Sequence, residues 1–420
     1  MENKMTSKEA TRIKNILKEM RFQFAFKCLN DIMKINPKEN IAFSPPCIYK
    51  GLLITYLMVK GDIEERLKNI LLLTEISKQD LINYRGHIKY SKNVSMDNPE
   101  CYSYDVKCFI KPNIQLQDTL SRFMHTAATI LDSSTNSEHL INNINDKILK
   151  NAVHDYMSDS SSLAVVRPDT EFTLMTAIHG RFQKFQYLAA VEADIETIAS
   201  RTDDRRISYF HKYLGIHVNE HYYQSRQISL FVFRPASLIS GQCRISKYKD
   251  SRTNICALIE QLLTSEGFSE LHKVLDRSET LLEKVETPFI LLPSFEVEKN
   301  LTIRELLLAL GAKQLLEPDA IDLDPSTVEG DQLSVRIGNV MHRSQVKVTQ
   351  KDISASAITL IHTGRESSPS TEIENENCNH PFVWLIYDKK RREVLYIGAF
   401  NKFASAVPKC QWNIQMEFLI

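Results

Sequence analysis

The chain has 420 residues, with 52 basic and 52 acidic side chains, 43% hydrophobic residues and 25% charged ones. This is the composition of a globular protein able to bury a large core. Zero formal net charge argues against nucleic acid as a partner, because phosphate contacts need a local excess of Lys and Arg, and Lys389 to Arg392 is only a four-residue run in a turn-like setting. The longest apolar run, Gly51 to Val59, is far below the roughly 18 residues of a membrane span, so a soluble protein with no membrane contact is expected.

The first nine residues lack the apolar core of a secretory signal. Either the protein stays inside the cell or a signal has been removed. From Lys8 to Asn36, Ile13, Leu17, Met20, Phe24 and Cys28 recur at helical spacing, and Pro37 stops that helix. A short strand is expected over Ile41–Phe43. Ser44 then reads as the cap of a second helix with Pro45 in its first turn. This helix runs to about Val59 and is apolar on nearly every side, which calls for burial. Gln79–Ser91 is mostly polar and reads as loop-rich, whereas Leu116–Thr129 and Leu140–Met157 read as helices. Tyr209–Pro235 is rich in Tyr, Phe, Val and Ile and reads as strands. Phe289–Val297 reads as a strand, Thr302–Leu310 as a helix ending at Gly311, and Phe382–Phe400 as a hairpin with a charged turn. Length suggests two or three domains, but no Gly/Pro/Ser linker parts the chain. One large mixed α+β domain over residues 1–420 is expected instead, helical over about 8–160. The eight cysteines include no CxxC pair, and most of them read as free, small core residues. The sequons at Asn93 and Asn300 say little about compartment.

Residues 346–380 fit a core poorly. Val346 and Val348 alternate with polar residues. After Asp352, Ile353, Ala355, Ala357, Thr359 and Ile361 fall on one face of an extended segment, with Ser354, Ser356, Ile358, Leu360 and His362 on the other. Gly364–Asn379 is almost devoid of apolar residues and reads as a long exposed loop. A plain strand followed by a disordered insertion accounts for this composition. So does a strand whose small residues let it slot between close-packed neighbours.

Several short elements, in order, resemble the serpin family. They are Asn40-Ile41-Ala42-Phe43-Ser44-Pro45, Ile144-Asn145, Leu292-Pro293-Ser294-Phe295, Leu306 to Leu310 with Gly311, Val340-Met341-His342, and His380-Pro381-Phe382 through Gly398-Ala399-Phe400. The resemblance implies an α+β serpin fold of about three β-sheets and eight to nine helices, with a reactive loop over about 350–379, a hairpin over 380–400 and a tail over 401–420. It also implies a monomeric, extracellular suicide substrate of serine proteases that has no catalytic residue and needs no cofactor. The protease serine attacks the scissile bond and forms an acyl-enzyme. The cut loop then enters the large sheet as a new strand; serpin loop insertion is itself a standard illustration of strand addition and stored strain.

Matched to the family pattern, the hinge of that loop is Gln350, Lys351, Asp352, Ile353, Ser354, Ala355, Ser356, Ala357, Ile358 and Thr359. Glycine and a small hydroxyl residue are usual where this chain has Asp352 and Ile353. Slower insertion is therefore expected, since Asp352 adds charge and stiffness and Ile353 needs more room. The residues matching the region that controls sheet opening are Ser44, Cys47 in place of a serine, Thr176 in place of an asparagine, and His342. The scissile position falls at Glu366 by loop length. It falls at Arg365 by chemistry, because a trypsin-like protease binds Arg against a buried carboxylate. A trypsin-like serine protease is the implied partner if Arg365 is cut. The hinge departures leave open a non-inhibitory member that binds, carries or chaperones. His217-Val218-Asn219-Glu220-His221 matches a zinc-protease pattern, but it lies in a β-rich stretch and no metal is expected.

Overall fold

The structure is a computed structural model. It describes residues 5–35, 37, 39–92, 102–110, 114–124, 129–130, 172–183, 206–223, 227–235, 251–276, 294–302, 307–308, 310, 328–330, 339–349, 351–362, 373–376 and 381–400. Helix α1 (Ser7–Ile35) turns the face carrying Ile13, Leu17, Met20, Phe24 and Cys28 inward. After β1 (Ile41–Phe43) comes α2 (Pro45–Met58), which is buried along nearly its whole length, as its all-round apolar surface requires. Ser44 stands at the start of α2 but does not cap it with its side chain. Its hydroxyl donates instead to the Leu395 carbonyl, at 2.9 Å. Helices α3 (Asp62–Ile70) and α4 (Lys78–Lys92) follow.

Helix α4 replaces the loop expected over Gln79–Ser91. Ser77 and Asp80 form a reciprocal cap ahead of it: the Asp80 carboxylate accepts from the Ser77 amide and hydroxyl, and the Asp80 amide donates to the Ser77 oxygen. Leu81, Ile82 and Tyr84 then pack on the core. The helix expected over Leu116–Thr129 is shorter. Strand β3 takes Ile114–Leu116, α5 takes Asp118–Met124, and β4 takes Thr129–Ile130. The helix expected over Leu140–Met157 lies outside the described residues, as does most of that expected over Thr302–Leu310. No helix among the described residues is long and apolar enough to cross a membrane.

Two large sheets organise the molecule. The first has the strand order β1, β15 (Glu393–Phe400), β14 (Phe382–Asp388), β8 (Ile228–Pro235), β7 (Ile216–Tyr223), β6 (Arg206–His211). The second has the order β13 (Ile373–Glu376), β9 (Phe295–Thr302), β11 (Asn339–Val348), β12 (Asp352–His362), β5 (Phe172–Gln183), β2 (Tyr102–Ile110), β4. A short pair joins β3 to β10 (Val328–Gly330). Helices α6 (Ser251–Leu262) and α7 (Ser265–Leu275) pack with α1 in the larger core. A second core holds Phe182, Val346, Ala355 and Ala357 of the seven-stranded sheet together with Leu230, Trp384 and Tyr396 of the six-stranded one. Alternating side chains from two facing sheets fill such an interface.

The Phe382–Phe400 hairpin forms as expected. Gly398 shows why this strand needs a glycine: a Cβ there would lie 2.1 Å from the Ile41 carbonyl oxygen and 2.6 Å from the Trp384 ring. The polar run after Gly364 is not all loop, since Ile373–Glu376 pairs antiparallel with β9. The histidines of the zinc-like pattern sit on strand β7, not on a helix. Glu220 there accepts from Ser229 and Tyr222 and pairs with Lys389, and the described residues contain no cluster able to hold a metal ion. Cys28, Cys47, Cys108 and Cys256 are free thiols.

Candidate functional site at the junction of strand β12 and helix α2

Strand β12 is the segment read from the sequence as a hinge, and it occupies the middle of the large sheet. It pairs antiparallel with β11, from Val348 opposite Ile353 to Asn339 opposite His362. On its other edge it pairs antiparallel with β5, from Gln183 opposite Asp352 to Thr173 opposite His362. Ile353 and every residue from Ala355 to Ile361 are buried, so this part is not exposed. The face predicted by alternation is the inward one. Ile353, Ala355 and Ala357 enter the core between the two sheets, while Ile361 joins the core around α1 and α2. Small side chains at 355 and 357 let the strand approach β5 and β11 without displacing Ile178 or Val346.

Thr359 centres the polar part of the site. In register it lies between His342 of β11 and Thr176 of β5, so three polar side chains form a row across three strands. The start of α2 sits over that row. The Ser44 amide donates to His342 Nε2 at 3.1 Å. That nitrogen must therefore be the acceptor, which leaves the proton on Nδ1. Nδ1–H then donates to Thr359 Oγ1 at 2.8 Å. Complete burial holds the imidazole pKa down to about 3, so the ring is neutral and this tautomer is retained. Thr176 Oγ1 donates to the Cys47 carbonyl at 2.8 Å. The Cys47 thiol, pushed up to about 12 by burial, stays protonated and faces the Ala357 carbonyl at 3.7 Å. It is a weak donor and no nucleophile.

The sheet-opening residues inferred from the sequence, Ser44, Cys47, Thr176 and His342, thus meet at one place. Two residues that sequence reasoning missed complete it. Ser344 donates to the Ala42 carbonyl at 2.8 Å, tying β11 to β1. Gly51 lets α2 approach β12 so closely that a Cβ there would stand 3.1 Å from Ile361 Cδ1.

At the other end of β12, neither expected obstacle strains the strand. Ile353 is fully buried, so the sheet provides the room it needs. Asp352 does not stand in the left-handed backbone region that favours glycine; among the described non-glycine residues only Leu72 and Arg392 do. Its carboxylate accepts from Arg181 Nε and Nη2, at 2.9 and 2.8 Å, and from the Thr349 hydroxyl at 2.7 Å. The Thr349 amide also donates to the Asp352 carbonyl at 2.9 Å, closing the hairpin between β11 and β12. Lys351 is exposed in the turn and Ser354 is half-buried. Gln350, Arg365 and Glu366 lie outside the described residues. Among the described residues here the Cys47 thiol stays protonated and the His342 ring neutral, and their bonds hold a strand in place.

Comparison with known proteins agrees in kind. Residues 19–403 match the family model described as serpin, a serine protease inhibitor. The chain is 23% identical over 388 residues to serine protease inhibitor 88Ea of Drosophila melanogaster, which covers 90% of this chain and 88% of that protein. It is 22% identical over 415 residues to human serpin B3, covering 92% and 99%. Among solved structures it is similar to cleaved serpin 42Da, with a TM-score of 0.62, 18% identity and coverage of 92% of this chain and 100% of that one. It is also similar to the thermophilic serpin tengpin in the latent state, with a TM-score of 0.61, 18% identity and coverage of 96% and 100%.

Proposed function

The chain belongs to the serpin family, and from that premise we propose that it inhibits a serine protease as a suicide substrate, its residues 1–420 acting as one domain. The observation that carries the reading is β12. Its hinge residues fill the centre of the large sheet from Ile353 to Ile361 with each inward side chain accommodated. A hinge that fits from Ile353 to Thr359 favours fast insertion, and insertion has to outpace release of the acyl-enzyme. Solved relatives described as cleaved and latent share the fold, consistent with β12 in its inserted position.

In this mechanism the protease serine attacks the carbonyl carbon of the scissile residue and expels the amine of the following one. The cut loop then zips into the sheet and carries the bound protease away, so the serpin catalyses nothing itself. We assign the scissile bond to Arg365, the only basic residue of the polar loop, which makes the target trypsin-like. Opening of the sheet is assigned to the row His342–Thr359–Thr176 under α2, since β12 must break or make these bonds as it moves.

Incubation with trypsin at equimolar ratio tests the proposal. An SDS-stable complex of serpin and protease, lost in Arg365→Ala, is expected. Cleavage in the loop with no complex would overturn the inhibitory mechanism and leave the behaviour of a non-inhibitory serpin.

A further inference from the structure

We propose that Arg181 is a positioning residue for the hinge: its guanidinium grips the Asp352 carboxylate, which Thr349 orients from the β11–β12 turn, in a latch that closes only when β12 lies beside β5 and then resists its withdrawal. The inference rests on reading β12 as an inserting strand. Asp352 stands opposite Gln183, and Arg181 stands opposite Ser354, so the two side chains are diagonal neighbours two residues apart on one face. Diagonal cross-strand pairs are within reach of long side chains only in a fixed register. A slip of β12 by one residue would send Asp352 to the opposite face and break the contact.

Two guanidinium nitrogens reach one carboxylate oxygen and the Thr349 hydroxyl reaches the other, so both oxygens are engaged. Such charge-assisted bonds exceed neutral ones, although Arg181 is largely exposed and solvent weakens its share. The latch therefore lends the hinge stability once it is seated, at the very position where a charge looked like an impediment. A glycine there would lack it.

The charged groups around Asp352 are Arg181 on β5 and Lys347 on β11, the latter itself paired with Glu296 of β9. The Thr349 hydrogen bond, then Arg181, then Lys347 hold the Asp352 carboxyl below its usual range. A depressed carboxyl contributes stability that is present above the ordinary carboxylate range and is lost as pH falls through the lowered value.

The test uses full-length protein cut in the 363–372 stretch, and reads its unfolding equilibrium in urea at neutral pH. Asp352→Asn and Arg181→Gln should each lower the folded-to-unfolded ratio by about three- to tenfold. Arg181→Lys, which keeps the charge but loses the fork, should fall between them and wild type. Exchanging the pair (Arg181→Asp with Asp352→Arg) should recover at least half of the loss, and 1 M salt should shrink the wild-type advantage. Losses that simply add in the exchanged pair, or single variants indistinguishable from wild type, would overturn the latch. The readout needs no inhibited protease. A wild type that forms no covalent complex but still shows coupling would sink the functional reading alone.

Discussion

His342 carries the sharpest pH signature at the scale of single residues. Its imidazole is fully buried and its pKa is held down to about 3, so the folded protein takes up its proton later than the unfolded chain does. Between that value and the ordinary one near 6.5 the unfolded state binds more protons, and stability must fall with acidification. The expected loss is about 2 kcal/mol from pH 6.5 to pH 4.5, read by urea unfolding at each pH. His342→Gln cannot titrate and should flatten the curve over that range. A wild-type curve already flat there would mean that the ring is not held neutral between Ser44 and Thr359. Cys47, by contrast, is silent. Its thiol stays protonated and should not react with alkylating reagents while the protein is folded.

The elements differ in how far they could be read from the chain alone, and the differences have physical causes. Helices α1 and α2 and the β14–β15 hairpin were legible because their burial imposes periodicity or continuous apolarity on adjacent residues. Helix α4 escaped notice because most of its side chains are polar, and the Ser77–Asp80 cap and the packing of Leu81, Ile82 and Tyr84 support it without a clear apolar period. Strand β13 escaped because one isoleucine beside three polar residues carries no pattern, and only pairing with β9 makes them a strand. Within the site, Ala355, Ala357 and Thr359 announced their common face by alternation. The partner of Asp352 did not, because Arg181 lies 171 residues earlier and only strand register brings it near. The tight fit of β12 can be tested at Ala357, fully buried between Ile178 and Ser344 in register. Ala357→Glu would bury an unpaired carboxylate. It should abolish covalent complex formation with trypsin while loop cleavage proceeds at the wild-type rate. Retention of wild-type complex would show that the strand does not enter as far as residue 357.

For the whole molecule, β12 is where both cores and α2 meet. Its inward residues pack into the space between the sheets, its Thr359 is bound through His342 to the start of α2, and its Ile361 packs beneath Gly51. Ser44 extends the tie to β15, and Tyr396 of β15 donates to the Ile178 carbonyl of β5 at 3.1 Å. Withdrawing the strand therefore opens contacts to two sheets and a helix at once, a cooperative unit of the kind whose opening governs hydrogen exchange. Strand β12 is seated in the large sheet despite the charge at Asp352 and the bulk of Ile353. Amide hydrogen exchange over residues 352–362, measured on protein cut in the loop, tests it most directly. Protection from Ile353 through Ile361 equal to that of β11 is the predicted result. Exchange at the rate of an unstructured peptide across Ile353–Ala357 would contradict it.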